Sequence, residues 1–296
     1  MRIFVTGATG FIGSALIPEL LQAGHQVLGL SRTTEGVEKL KAAGVEPLFG
    51  NIEDLDCLRK GAASADGVIH LAFNHDFAQF QKNAEDERAA ISAIGEVLAG
   101  TKKPFVITSG TAIAANVDGK PSTEESPISS MNPRSGMEAV IKGLTDQGIV
   151  TSIVRLAQIH DNRKQGLVPY VTAAAKANGV STYIGDGSNR WPACPVADTA
   201  RLYRLAFEKA EAGAIYHAVD EEGVSAKEIA EAIGRGLNVP VLSITPEEAP
   251  KYFGWLAMFV AHDMPSSSAI TRRKLNWTPT GPGLITDLDN MDYSQV

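Results

Sequence analysis

The stretch Thr6-Gly7-Ala8-Thr9-Gly10-Phe11-Ile12-Gly13 decides the fold. It follows the apolar run Ile3–Thr6 and opens a segment, Phe11 to Ala23, in which Phe11, Ile12, Ala15, Leu16, Leu20 and Leu21 recur at helical spacing. The expected unit is strand, glycine turn and helix, with Gly24 just past the helix as a left-handed cap. In that context each glycine has a task. Gly7 permits the tight turn, Gly10 lets the backbone approach a diphosphate, and Gly13 lets helix and strand pack closely. Amides at the helix start then face the phosphates, helped by the helix dipole. Gly7, Thr9, Gly10, Phe11, Ile12 and Gly13 are the expected contacts to a dinucleotide.

Working outward, Gln26–Leu30, Val45–Phe49, Gly67–Leu71, Phe105–Thr108 and Thr151–Leu156 read as further strands. Several are continuous in Val, Ile, Leu and Phe, as suits strands covered on both faces of a parallel sheet. Helical segments between them imply right-handed crossovers and the α/β class, a Rossmann doubly wound parallel sheet. After about residue 160 the pattern changes. Gly166–Asn178, Asp198–Ala210 and Ser225–Leu237 read as helices, and Ala214–Val219 and Val239–Ile244 as strands. Asp198 and Ser225 stand at helix starts as caps, and Glu228 completes a capping box with Ser225. The expected organisation is a nucleotide-binding domain over 1–165, with 181–220 returning to its sheet. Residues 166–180 and 221–296 would form a small C-terminal α/β substrate lobe.

The end of the second strand selects the nucleotide. A carboxylate about 20 residues past the glycines marks an NAD site, where it holds the ribose 2′-hydroxyl. Here Ser31 stands where the acid would sit, and Arg32 follows it. Nothing there repels a 2′-phosphate, and an arginine makes charge-assisted hydrogen bonds to one. NADP is the expected cofactor, with NAD the second choice. Asn51-Ile52, after the third strand, suits the adenine edge.

The chain resembles the extended short-chain dehydrogenase/reductase superfamily, the NAD-dependent epimerase/dehydratase-like proteins, whose TGxxGxxG fingerprint is matched in full at Thr6 to Gly13. His70-Leu71-Ala72 looks like that family's segment beside the cofactor, which implies contacts at Leu71 and Ala72. Arg190-Trp191-Pro192 through Val196-Ala197-Asp198 resembles the start of its substrate lobe, and Leu275-Asn276-Trp277-Thr278-Pro279 its C-terminal LGWxP stretch. The catalytic motif is where the likeness stops. Family members pair a Tyr with a Lys four residues on, which lowers the phenol pKa for proton exchange with a substrate oxygen. None of the tyrosines at 170, 183, 203, 216, 252 and 293 has such a lysine. Aligning Glu138 with the acid that commonly follows the family lysine puts Arg134 at the lysine position and Ser130 at the tyrosine position, which resembles an atypical branch of the superfamily. Arg134 keeps its proton near neutral pH, so its expected work is to bind a ribose hydroxyl, a carboxylate or an oxyanion.

Other groups must move the proton. Ser109 and Thr111 end the fifth strand, where ligands bind in such sheets, and Ser109 matches the family position that polarises a substrate carbonyl. His160, beside Asp161 after the sixth strand, is the expected proton donor, given histidine's ordinary pKa. The catalytic expectation is thus Ser109, Arg134 and His160. His75 and Asp76 are candidate pocket lining, and Tyr170 could replace the missing tyrosine from another direction. Arg190 and Trp191 could flank a substrate or pack between lobes, and the apolar stretch Tyr252–Phe259 reads as core, interface or lid.

Composition narrows the function classes. The 296 residues carry 27 Lys+Arg against 34 Asp+Glu, a net charge of −7, which argues against a binder of nucleic acid or anionic membrane. Cys57 and Cys194 are too few for a disulfide framework, and their spacing matches no metal motif. No apolar run approaches the ~18 residues of a membrane span, and the N-terminus lacks a secretory signal's pattern. The expectation is a cytoplasmic NADP-dependent oxidoreductase that moves hydride between nicotinamide and a small carbonyl or alcohol, with a homodimer in keeping with the family. Two alternatives stay open: an epimerase- or dehydratase-type isomerase or lyase, and a non-catalytic dinucleotide sensor.

Overall fold

A computed structural model describes residues 1–76, 79–116, 119–129 and 134–295 of the chain. The strands are β1 (Arg2–Thr6), β2 (Gln26–Ser31), β3 (Glu46–Phe49), β4 (Gly67–His70), β5 (Phe105–Gly110), β6 (Thr151–Leu156), β7 (Gln158–His160), β8 (Ser181–Ile184), β9 (Arg190–Pro195), β10 (Ala214–Ala218), β11 (Glu221–Ser225) and β12 (Val241–Ile244). The helices are α1 (Phe11–Gln22), α2 (Thr34–Ala42), α3 (Leu55–Ala63), α4 (Phe80–Leu98), α5 (Ser135–Asp146), α6 (Val168–Asn178), α7 (Val196–Lys209), α8 (Ala226–Leu237), α9 (Ala249–Phe253), α10 (Ala257–Val260), α11 (Ala269–Leu275) and α12 (Leu284–Asp289).

Seven strands form one sheet in the order β10-β6-β5-β4-β1-β2-β3, all parallel. Chain order reverses between β1 and β4, which is where a doubly wound sheet opens a crevice at the carboxyl ends of its strands. The two-faced burial expected from continuous apolar runs is clear in β1. Ile3 and Val5 enter one core with Leu16 and Leu20 of α1, Leu40 of α2, and Leu202 and Phe207 of α7. Phe4 points the other way, into Leu58 of α3, Ile91 and Ile94 of α4, and Ile141 of α5. The sheet is the middle layer of three, and burying it on both sides supplies most of the driving force for folding.

A third core joins α6, α8, α9 and α12 around β9, with Val171, Trp191, Ile229, Ile233, Phe253 and Leu284. Its strands make two small sheets, β11-β9-β7 and β12-β8. Ser225 and Glu228 form the expected capping box on α8, and Gly24 has the positive φ expected past α1.

Three expectations change. Of residues 181–220, α7 and β10 return to the large sheet, whereas β8 and β9 pair elsewhere. Asp198 is not a helix cap: Pro195 holds that position in α7. The Asp198 carboxylate instead accepts the amides of Thr280 (3.0 Å) and Gly281 (2.8 Å) and the guanidinium of Arg201 (2.7 Å), tying distant chain to the helix. Trp277 belongs to that same tie. It is 1% exposed within the first core, and its Nε1 donates to the Asp198 carbonyl at 3.0 Å. The 221–296 stretch is therefore shared between two cores.

Candidate active site

A cleft of about 780 Å³ opens at the carboxyl ends of β1 to β5. The turn after β1 forms its floor. Gly7 has φ +68°, and a Cβ there would lie 2.9 Å from the Ala72 amide. A Cβ on Gly13 would lie 2.2 Å from the Gly7 carbonyl, so only glycine lets α1 start so close to the strand. At Gly10 a Cβ would meet just one atom, the Gly7 oxygen at 3.1 Å, and otherwise point into open space. No side chain caps α1 and no acid stands in its first turn. Its first amides lack intrahelical acceptors, so this helix end is left for an external anion. Thr9, Phe11 and Ile12 also line the cleft. The residues present fit a dinucleotide diphosphate.

At the end of β2, Ser31 is buried and its Oγ donates to the Thr33 carbonyl at 3.1 Å. Thr33 in turn caps α2 by accepting from the Gly36 amide at 3.0 Å. Ser31 thus shapes the loop, and Arg32 is exposed on the cleft with no carboxylate partner among the described residues. Asn51 and Ile52, expected at the adenine edge, line the cleft, as does Glu53. Asn51 Oδ1 already accepts the amides of Glu53 (2.8 Å) and Asp54 (3.0 Å), which commits that oxygen to the loop and not to adenine.

Leu71 and Ala72 follow β4 on the cleft wall. Ser109 lines it too, but its hydroxyl donates to Glu138 Oε1 at 2.8 Å. Arg155 grips the same carboxylate from Nε (2.9 Å) and Nη2 (2.7 Å). Its Nη1 lies 3.4 Å from His217 Nε2, whose ring also meets the Ser267 carbonyl. Burial, then the Arg155 charge, push the His217 pKa down to about 3, so the ring is neutral and can accept from the guanidinium. The Ser109 proton is held in this chain. That corrects its expected part as donor to a substrate carbonyl. Thr111 donates likewise into the protein, to the Leu156 carbonyl at 3.2 Å.

Arg134, at the start of α5, reaches the cleft and binds Glu87 of α4 at 3.0 and 2.5 Å. Its guanidinium lies 4.2 Å from the Phe73 ring centroid. Burial pushes the Glu87 carboxyl up in pKa, against the Arg134 charge. Ser130, aligned with the family tyrosine, lies outside the described residues. His160 is the clear correction: it is 0% exposed, absent from the cleft wall, and its Nδ1 lies 2.6 Å from Asp287. A histidine sealed this way cannot pass a proton to a substrate in the cleft.

Of the six tyrosines, Tyr170 alone lines the cleft. Its ring meets Trp255 edge-on at 5.5 Å. His75 lines it as well, and burial, then the charges of Arg134 and Lys164, hold its pKa below the ordinary value. Asp76 is bonded to Gln79 at 3.0 Å, within the loop before α4. Arg190 is paired with Asp263 at 2.8 Å and Trp191 packs in the third core, so neither flanks the cleft, although Pro192 does. Both thiols are buried and pushed up in pKa by that burial.

Phe259, in the stretch read as core, interface or lid, lines the cleft, whereas sequence reasoning missed Lys164, Glu87, Phe80 and Met264. Glu87 had a signal, because Asn83 and Glu87 put polar groups on the inward stripe that continues through Ala90, Ile91 and Ile94. Among the described residues, no cluster of three or more His, Cys, Asp or Glu could hold a metal, and no helix is long and apolar enough to cross a membrane.

Comparison with known proteins agrees with this fold. The chain is 48% identical over 295 residues to the uncharacterized protein C2A9.02 of Schizosaccharomyces pombe, covering 99% of this chain and 100% of that one. It is 27% identical over 233 residues to a Stigmatella aurantiaca 4-hydroxy-2-methyl-3-oxo-4-farnesyl-3,4-dihydroquinoline-1-oxide ketoreductase, covering 74% and 68%. The fold matches the UDP-glucose 4-epimerase of Thermus thermophilus, solved in complex with NAD, with a TM-score of 0.76 at 18% identity over 99% of both chains. The family model for NAD-dependent epimerases and dehydratases matches residues 3–220. With its fingerprint intact and its Tyr/Lys pair absent, the chain belongs to the NAD-dependent epimerase/dehydratase family, a branch of the extended short-chain dehydrogenase/reductases whose members are NAD(P)-dependent enzymes.

Proposed function

We propose that the protein is an NADP-dependent reductase acting between a carbonyl and its alcohol. The observation that carries this reading is the anion-ready start of α1 together with Arg32, exposed at the end of β2 where no acid stands. The residues from Gly7 to Gly13 with Arg32 would hold NADPH, which would supply the hydride and its two electrons for the carbonyl carbon, the oxygen taking a proton to give the alcohol and NADP⁺. The likeness to a ketoreductase supports this direction.

The chain's own part is binding, orientation and the proton. Gly7 to Gly13 hold the diphosphate, and Arg32 the 2′-phosphate. Leu71 and Ala72 form the wall beside the nicotinamide. Arg134, fixed by Glu87, buttresses that wall through Phe73. Tyr170 is the proton donor. It is the tyrosine on the cleft, whereas the hydroxyls of Ser109 and Thr111 donate inward and the low pKa of His75 leaves it neutral. The small lobe built on α6 and α8 supplies the substrate side.

Calorimetric titration of wild type and Arg32→Asp with NADPH and NADH tests the cofactor assignment. The variant should lose roughly 1–3 kcal/mol for NADPH and much less for NADH. Equal loss for both removes Arg32 from the choice of nucleotide. NADPH consumption with a carbonyl panel tests the reaction, and product formed without net oxidation of the nucleotide would transfer the protein to the isomerase or lyase class.

A further inference from the structure

Resting on the reductase reading, we propose that the half of the cleft away from the glycine turn takes an uncharged carbonyl compound carrying an aromatic or similarly bulky apolar group, and not a nucleotide-linked sugar. Large apolar side chains reach that half from three directions. Phe73 and Phe80 stand before and at the start of α4, with rings 6.0 Å apart and edge-on. Leu167 and Tyr170 come from the start of α6, and Phe259 and Met264 from α10 and the segment after it. Behind this wall Tyr170, Trp255 and Phe259 form a ladder of edge-on rings at 5.5 and 6.0 Å. Aromatic edges and faces arranged in this way favour another flat apolar group between them.

The charges point the same way. A nucleotide sugar brings a diphosphate with two negative charges, which needs unneutralised cations or a second open helix start. Besides Arg32, two cations line the cleft among the described residues, Arg134 and Lys164. Arg134 is already neutralised by Glu87 through two contacts and stacked on Phe73. The Lys164 amine lies 5.7 Å from the ring of Phe11, the first residue of α1, which places it on the side of the cofactor's phosphates. The helix start nearest the far wall, α6, has Pro169 in its first turn and so one amide fewer to offer an anion. What remains is a slot suited to a ring or short apolar chain, with Tyr170 at its edge to meet the oxygen.

The test uses the full chain with saturating NADPH and three aldehydes: cinnamaldehyde, propanal and glyceraldehyde. UDP is titrated separately by calorimetry. The expected result is a kcat/KM for cinnamaldehyde at least about tenfold above that for glyceraldehyde, in the range a hydrophobic pocket can discriminate, and no heat from UDP. Phe259→Ala should raise KM for cinnamaldehyde about tenfold and that for propanal much less, with NADPH affinity unchanged. Trp255→Ala, at an exposed position, should shift the same ratio in the same direction if the first variant folds poorly. Preference for glyceraldehyde, or UDP binding that competes with cinnamaldehyde, would overturn the substrate class and leave the reductase reading standing. Failure of the reductase reading looks different: no NADPH binding, or cinnamyl alcohol bound in the cleft with no aldehyde turned over.

Discussion

Tyr170 and His160 show how a side chain's surroundings, more than its chemical type, decide what it can do. Tyr170 stands on the cleft with its ring against Trp255. Tyr170→Phe keeps the ring and removes the hydroxyl, so kcat should fall by on the order of 10²-fold with NADPH affinity retained; an unchanged kcat would take proton transfer away from this residue. His160 is sealed against Asp287. His160→Ala should lower the thermal midpoint by several degrees while turnover per folded molecule stays within about twofold, measured by calorimetry and steady-state kinetics. These two residues also mark the limit of reading a chain locally. The glycine turn is legible because the spacing that marks it lies within eight residues, Thr6 to Gly13. Ser109 and His160 are misread because their deciding partners, Glu138 and Asp287, lie 29 and 127 residues away.

At the scale of elements, the start of α1 is where geometry is least forgiving. A methyl group at Gly13 would collide with the Gly7 carbonyl and with Ala8, backbone atoms that cannot rotate away. Gly13→Ala should therefore push the helix off the strand, reduce NADPH affinity at least tenfold by calorimetry, and lower the thermal midpoint as well. Full affinity in that variant would mean that the turn tolerates a wider gap than its packing implies. The strands of the large sheet are readable from sequence because burial on both faces leaves an unbroken apolar run, as in Ile3-Phe4-Val5. β8 and β9 are harder. β9 contains Pro192 and Pro195, and β8 alternates weakly as Ser181-Thr182-Tyr183-Ile184, so neither carries the pattern of a central strand. They become strands because β12 and β11, both much later in the chain, are brought beside them.

For the whole molecule, two buried histidines set an acid limit. Burial, then the Arg134 charge, push the His70 pKa down to about 4, and burial with the Arg155 charge pushes that of His217 to about 3. In the unfolded chain both titrate near 6.5. Between those values the unfolded state holds more protons than the folded one, so stability rises with pH through this window and is lost as pH falls from about 6.5 toward 4. The loss from His70 alone is on the order of 3 kcal/mol. Urea midpoints should drop steeply between pH 7 and pH 4.5, and His217→Gln should flatten the slope. A midpoint indifferent to pH over that interval would show that both rings take up protons in the native state as readily as in the unfolded chain.

The place of Trp277 in the layer with β1 and α1 bears on how the protein is made. During translation the nucleotide-binding half emerges early, yet one flank of its sheet stays unsealed until residue 277 has cleared the ribosome exit. A nascent chain arrested before that point should remain protease-sensitive and hold chaperones longer than its many local contacts would suggest.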